Sequence, residues 1–202
     1  MARLARKSWL TRLAWAAAAL ALLAAGCGGD ENGETPASNP DDTLALFRFE
    51  KFTSAPQIDG GEVSLDALRG KVVLLDLFGT WCPPCRRSTP ILVSFYERYH
   101  DRGFEIIGLA YEPTLEPAQS KDAVEAFRRE FSIPYVLALG PKVVWDELRR
   151  KAGVQGAVPT ILLVDRQGVV RDVFEGLPPG HEAALADRLE RLLAEPAVGQ
   201  GR

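Results

Sequence analysis

The chain has 202 residues, of which 24 are basic and 27 acidic, so its net charge at pH 7 is −3. Four of the bases, Arg3, Arg6, Lys7 and Arg12, precede the first acid; without them 20 bases face 27 acids, a charge near −7. Nucleic-acid binding requires the opposite balance, and the sequence therefore excludes nucleic acid as a partner.

The first 26 residues have the pattern of an export signal. A basic start precedes an apolar run of about 13 residues, whereas a helix that spans a bilayer needs about 20. The run ends directly before Cys27 in a junction that resembles a bacterial lipobox, with Leu23 one place further from the cysteine than usual. We predict a lipoprotein signal peptide at 1–26 and a lipidated Cys27 that anchors the protein to a membrane of the cell envelope, outside the cytoplasm. An uncleaved anchor and ordinary signal-peptidase cleavage are the alternatives.

Composition divides the remaining chain into three parts. Residues 27–43 are rich in glycine, proline and acids and are predicted to form a flexible tether behind the lipidated cysteine. Residues 44–195 have a globular composition, and a length on the order of 150 residues suits one domain with a proper core. Residues 196–202 are predicted to be a disordered tail.

Hydrophobic periodicity predicts an α/β domain. Strand-like segments occur at 44–52, 62–65, 71–79, 104–112, 133–139, 159–165 and 169–176, of which the last two form a hairpin. Helical spacing occurs at 86–100, 121–131, 141–153 and 181–195. This order mixes parallel crossovers with an antiparallel hairpin, which favours a central mixed sheet flanked by helices on both faces, with an N-terminal strand extension.

Two of the three cysteines, Cys82 and Cys85, open the helix that follows the central strand at 71–79. A helix N-terminus offers unpaired N–H groups and the positive end of the helix dipole, which favour a thiolate nucleophile at Cys82. Cys85, one turn further on, is close enough to resolve a mixed disulfide on Cys82. Pro83 and Pro84 suit the first helical turn, where N–H groups have no intrahelical partner. We therefore predict a redox-active Cys82–Cys85 disulfide.

A metal site and a structural cross-link explain the cysteine pair less well. A zinc site needs about four ligands, and one Cys-x-x-Cys motif supplies two. The two histidines, His100 and His181, lie at the end of one predicted helix and the start of another, and are predicted to be solvated. A cross-link over so short a loop adds little stability. We predict no metal, and the redox cycle needs no soluble cofactor.

The sequence around the cysteines resembles the thioredoxin fold. TWCPPC follows the apolar run VVLLDLFG, Pro90 lies five residues beyond the second cysteine, and the tripeptide at 158–160 precedes the last hairpin. The extra material between FEIIGLAYE and IPYVLAL, together with the leader, is similar to TlpA/ResA-type membrane-anchored thiol-disulfide oxidoreductases. This resemblance covers roughly residues 45–195.

The resemblance implies a thioredoxin-like fold and a substrate surface beside the cysteines. Pro159 matches the family's cis-proline, which faces the cysteines, and Val158 before it would offer backbone hydrogen bonds to an extended substrate segment. Trp81 would shape the surface around the nucleophile. The implied substrate-binding residues are Trp81, Pro83, Pro84, Val158, Pro159 and Thr160.

Two acids, Asp76 and Glu112, are further candidates for the catalytic site. Asp76 lies six positions before Cys82, as the buried carboxylate of thioredoxin does, and burial in an apolar strand should raise its pKa. It could then accept the proton of Cys85 during exchange; a strand-end carboxylate bound by backbone donors is the alternative. Glu112 lies close to where ResA-type reductases carry an acid beside the cysteines, and an exposed loop residue is the alternative.

The resemblance implies an envelope thiol-disulfide oxidoreductase that reduces exported proteins, with apocytochrome c among the candidate substrates. A reductase in an oxidising compartment needs an electron source, so a membrane thiol-transfer protein is the implied donor. A thiol peroxidase of the peroxiredoxin type is a weaker alternative, because Thr80 stands two residues before Cys82 and not three, as in the usual peroxidase pattern. A copper-delivery protein on the same fold is a further alternative. Such proteins typically have a wider cysteine spacing than the Cys-x-x-Cys motif of this chain, and a distant ligand histidine.

Overall fold

The computed structural model describes residues 47–177 and 180–196. Outside these ranges lie the predicted signal peptide at 1–26, the lipidation site Cys27, the tether at 27–43 and the tail beyond 196. Within the described ranges, no helix is both long enough and apolar enough to cross a membrane.

The described residues form seven β-strands and four α-helices. The strands are β1 (Ser54–Pro56), β2 (Glu62–Ser64), β3 (Val72–Phe78), β4 (Phe104–Ala110), β5 (Val136–Leu139), β6 (Thr160–Val164) and β7 (Val170–Glu175). The helices are α1 (Pro83–Tyr99), α2 (Pro117–Phe131), α3 (Lys142–Ala152) and α4 (His181–Ala194).

Five strands form one mixed sheet in the order β5-β4-β3-β6-β7. β3 pairs in parallel with β4 and antiparallel with β6, and its seven residues are all buried. β4 pairs in parallel with β5, and β6 and β7 form the predicted antiparallel hairpin. The central position of β3 confirms what its unbroken apolar run predicts.

Each face of the sheet carries its own hydrophobic cluster. Leu74 and Phe78 point to the face covered by α1, α2 and α4, whereas Leu75 and Leu77 point to the face covered by α3 and the β1–β2 hairpin. This alternation follows from the two-residue period of a strand. The predicted α/β architecture, a mixed sheet with helices on both faces, is confirmed.

The predicted strand at 44–52 is wrong over its described part. Phe47 makes a single bridge to Val170, and the N-terminal strand begins only at Ser54, paired with β2. The N–H groups of residues 50–52 donate to the carboxylate of Glu147 on α3 instead, at 2.8, 2.7 and 2.9 Å. Because a side chain satisfies these groups, the segment needs no neighbouring strand.

Helix α2 begins at Pro117, four residues before the predicted start at 121. Proline suits the first helical position because its fixed φ matches a helix and its missing N–H has no intrahelical partner there. The side chain of Gln119 also accepts a hydrogen bond from the Glu116 N–H at 3.2 Å, which closes the helix start.

Candidate active site

The disulfide between Cys82 and Cys85 lies at the N-terminus of α1. Cys82 is the N-cap, its Cα is 5.3 Å from that of Cys85, and its Sγ accepts a hydrogen bond from the Cys85 N–H at 3.2 Å. Pro83 and Pro84 occupy the first helical positions and are exposed. Both cysteines are almost fully covered, with 2% and 1% of their surface exposed, so a reacting group must approach along a specific direction.

The loop before β6 faces this disulfide. The Val158–Pro159 peptide bond is cis, and the carbonyl oxygen of Val158 lies 3.5 Å from Cys82 Sγ. Thr160 is fully buried and its hydroxyl donates to the Ala157 carbonyl at 2.6 Å. Val158 therefore lies at the surface beside the nucleophile, whereas Thr160 holds the loop from beneath.

Trp81 covers the turn that leads into the disulfide. Its indole Nε1 donates to the Tyr111 carbonyl at 3.0 Å, while 55% of the residue remains exposed. The ring lies over Gly79, where an added Cβ would stand 2.6 Å from Nε1. A glycine at this position is thus required for the observed ring placement.

Glu112 holds the peptide of Thr80, two residues before the nucleophile. Its Oε1 accepts a hydrogen bond from the Thr80 N–H at 2.7 Å. On the other side, Arg86 donates to the Thr80 carbonyl at 3.3 Å, and its guanidinium pairs with Glu130. The backbone of Thr80 is therefore held at its N–H by a carboxylate and at its carbonyl by a guanidinium.

Asp76 lies in the middle of β3 and is only 3% exposed. Its neighbours across the sheet, Gly108 and Ile161, offer no polar side chain, and its Oδ1 has no hydrogen-bond partner within the described residues. Burial raises the pKa of Asp76 to about 7. The pKa of Tyr135 is raised as well, mainly by burial and to a smaller extent by the charge of Asp76.

Asp76 faces the same layer of the core as the disulfide. Its side chain follows the alternation of Leu74 and Phe78, which pack in the cluster that contains Cys82 and Cys85. The sheet therefore directs a carboxyl group with a near-neutral pKa toward the layer beneath α1. This is the environment that a proton acceptor for a buried thiol requires.

An open groove of about 780 Å³ adjoins the disulfide. Its walls come from the starts of α1, α2 and α3, the loop after β4, the end of β5 and the loop before β6. The lining side chains are mostly apolar, and Glu112 is the one carboxylate among them. Of the predicted substrate-binding residues, Trp81, Pro83, Pro84 and Val158 line this groove.

The histidines lie away from this groove. His100 follows the last residue of α1, where its ring packs on Tyr96 with a centroid separation of 4.4 Å, and His181 begins α4. Among the described residues, no group of three or more histidine, cysteine or acidic side chains could hold a metal ion.

Comparison with known proteins agrees with this geometry. A protein-family model described as Redoxin matches residues 40–189. The chain belongs to the Redoxin family. The thiol-disulfide oxidoreductase ResA of Geobacillus thermodenitrificans is 32% identical over 120 residues, 59% of this chain and 63% of that relative. The redoxin thus spans somewhat less than two thirds of the relative's length.

Solved structures confirm the thioredoxin-like fold of this redoxin. A Chlorobium tepidum structure described as a thiol:disulfide interchange protein DsbE is 29% identical, with a TM-score of 0.61, over 75% of this chain and 99% of that one. A Bacteroides thetaiotaomicron structure described as a protein disulfide isomerase is 26% identical, also with a TM-score of 0.61, over 76% and 92%. The resemblance to ResA-type proteins is confirmed.

Sequence reasoning missed part of the support around the redoxin's disulfide. Arg86 is one of several basic residues along α1, yet it binds the Thr80 carbonyl and lies over the rings of Phe127 and Phe131, 5.5 and 5.1 Å from their centroids. These rings come from α2, far away in the sequence, so no local pattern signals the contact. Its place one turn after Cys82 was the only available hint.

Proposed function

We propose that this redoxin is a thiol-disulfide oxidoreductase that reduces disulfide bonds of other proteins. The observation that carries the proposal is a disulfide at a helix N-terminus, opposite the Val158 carbonyl and beside an open groove. A groove next to the sulfur can hold an extended polypeptide, which neither a structural cross-link nor a sealed metal site would need.

The reaction transfers two electrons from the dithiol form of the protein to a substrate disulfide. The Cys82 thiolate attacks one substrate sulfur, so that a mixed disulfide forms and the other substrate sulfur leaves as a thiolate. Cys85 then attacks Cys82 Sγ, which releases the second substrate thiolate and forms the Cys82–Cys85 disulfide. The helix N-terminus stabilises the attacking thiolate, and Cys85, which unlike Cys82 does not line the groove, is left for the second step.

Asp76 is proposed to accept the proton of Cys85 in the second step. Its pKa of about 7 lets the carboxylate form exist near neutral pH and still bind a proton from a thiol. The absence of a partner at Oδ1 among the described residues supports this role, since no hydrogen bond fixes the group in the charged form.

The site of action is proposed from the sequence outside the described residues. A signal peptide at 1–26 and a lipid on Cys27 would tether the domain to a membrane of the cell envelope. Its substrates would be exported proteins, apocytochrome c among them, and its electrons would come from a membrane thiol-transfer protein. The relative from Geobacillus, named a thiol-disulfide oxidoreductase, supports the chemistry.

The deciding experiment measures the reduction potential of the Cys82–Cys85 couple in redox buffers. A value near that of thioredoxin, about −270 mV or lower, supports a reductase, whereas about −120 mV indicates a disulfide donor. A Cys85→Ser variant should trap the mixed disulfide with a protein substrate, and Cys82→Ser should not. Peroxide consumption that outpaces disulfide exchange would point to a peroxidase instead.

A further inference from the structure

The groove beside Cys82 is apolar to an unusual degree for an exposed surface. Trp81 and Leu115, the two large apolar residues most exposed within the described chain, at 55% and 37%, both line it. Exposed apolar side chains that converge on one groove mark a surface that is covered when a ligand binds.

One wall of the groove, next to Trp81, is aromatic and held in place. The Tyr111 ring packs 5.3 Å from the Trp145 ring, and its hydroxyl donates to the Pro141 carbonyl at 3.2 Å. A Cβ at Gly140 would overlap the Tyr111 ring, so the glycine allows this close packing. Because the wall is held by packing and a hydrogen bond, it is ready for a flat or bulky apolar side chain without rearrangement.

The charge in the groove is one carboxylate. Glu112 uses Oε1 to accept the Thr80 N–H, and it forms no ion pair with any basic side chain of the described residues. The remaining lining residues are uncharged, apart from any ionisation at Cys82. A bound segment therefore meets apolar walls and one charged lining side chain, the Glu112 carboxylate, while Arg149, which pairs with Asp146 at 3.6 Å, borders the groove at Gly156.

We propose that this groove selects the substrate segment: it takes a large apolar side chain, preferably aromatic, next to the reacting cysteine, and Glu112 favours a neighbouring cationic residue over an anionic one. The inference rests on the proposed function. A substrate polypeptide is the fitting occupant, because the groove is continuous with Cys82 and Val158 and its single charge calls for a cation.

The test uses short peptides with an internal disulfide and varied residues beside the first cysteine. One pair carries Trp or Ser next to the cysteine, and a second pair, otherwise identical, carries Arg or Glu one residue further on. Stoichiometric amounts of the reduced protein are mixed with each peptide, and the reaction is stopped by acid and alkylation. Second-order rate constants then follow from the fraction of protein that has become oxidised.

The apolar wall should favour the Trp peptide over the Ser peptide about tenfold, because burial of part of an aromatic side chain contributes that much. The carboxylate should favour Arg over Glu about fivefold at low salt. Salt at about 1 M screens the charge of Glu112 and should bring that ratio close to one. Each ratio compares the rate constants of two peptides with the same wild-type protein, so its measurement needs no variant.

Two variants locate the selectivity. Glu112→Gln keeps an amide oxygen for the Thr80 N–H and removes the charge, so the Arg/Glu ratio should fall to near one. Glu97→Gln makes the same change at an exposed position of α1 outside the groove, and should keep the ratio. Leu115→Ser should lower the Trp/Ser ratio.

The outcomes separate this inference from the function on which it rests. Equal rates for all peptides, with rapid oxidation by glutathione disulfide, would overturn the subsite and leave the oxidoreductase intact. No reaction with any disulfide would overturn both. A dimer in sedimentation that Leu115→Ser dissociates, together with absent selectivity, would assign the groove to a second copy of the chain and overturn the proposal.

Discussion

Replacing Asp76 by asparagine should change how the stability of the oxidised protein depends on pH. Burial raises the pKa of this carboxyl from 3.8 to about 7 in the folded chain. Between these values the folded protein retains a proton that the unfolded chain has released. Stability from this group is therefore complete below about pH 4 and is lost as the pH rises toward 7.

The size of the effect follows from the shift in pKa. A difference of about 3 units at about 1.4 kcal/mol each gives a loss of at most about 4 kcal/mol between pH 4 and pH 8. Asparagine has nearly the same shape and no charge, so the Asp76→Asn variant lacks this loss. The amide introduces its own unpaired polar atoms, but their penalty does not vary with pH and only offsets the curve.

The assay is urea unfolding of the wild type and the variant at half-unit steps from pH 4.5 to pH 8.5. Both proteins are kept oxidised so that no thiol titrates, and the free energies are compared at equal slope. The difference should grow steadily in favour of Asp76→Asn and level off above about pH 7.5. Parallel curves would refute a buried carboxyl with a raised pKa.

Asp172 offers a matched control for this experiment. Burial raises its pKa to about 6, although Arg171 and Arg191 lower it in part. An Asp172→Asn variant should begin to diverge from the wild type at the same pH as Asp76→Asn, because both carboxyls start from a pKa of 3.8, but its divergence should be smaller and should level off about one pH unit lower. If both divergences level off at the same pH, the effect does not belong to the β3 site.

Three further predictions concern residues that support the active site or hold the N-terminal segment at 50–52. Glu147→Leu should lower the free energy of unfolding by about 3 kcal/mol, because the N–H groups of residues 50–52 lose their acceptor, and Glu147→Gln should cost less; urea unfolding measures both. Gly79→Ala should displace the Trp81 ring and slow disulfide exchange with a peptide, with unfolding unchanged within about 1 kcal/mol; an unchanged rate would contradict the ring's role. Asp76→Asn should slow release of the mixed disulfide at pH 8 in quenched-flow experiments, and equal rates would remove the carboxyl from the mechanism.

The sequence predicted the parts of the fold that depend on local patterns. The unbroken valine and leucine run at 71–79 indicated a central strand, and the pairing of β3 with β4 and β6 confirms it. The cysteine pair indicated a helix start, and α1 begins at Pro83. Both signals arise within a few residues, because strand burial and helix capping are set by neighbours in the chain.

Contacts between distant residues could not be predicted in this way. The segment at 50–52 reads as a strand, but its N–H groups are satisfied by Glu147, almost one hundred positions away. Burial alone would raise the pKa of Glu147, yet these three donors, together with the charge of Lys151, lower it overall. A buried carboxylate bound by backbone donors gives no periodic pattern in the sequence. The contact forms only because α3 packs beside the segment at 50–52.

The topology explains why residues from three separate segments meet at one sulfur. β3 and β4 are parallel neighbours, so the segments that follow them, which carry Cys82 and Glu112, leave the same edge of the sheet. β6 is antiparallel to β3 on its other side, so its beginning, just after Val158, lies at that edge too. The nucleophile, the clamp on its loop and the carbonyl facing it are thus fixed by strand order and direction. It follows that a change in the loops can alter the groove while the reacting pair remains in place.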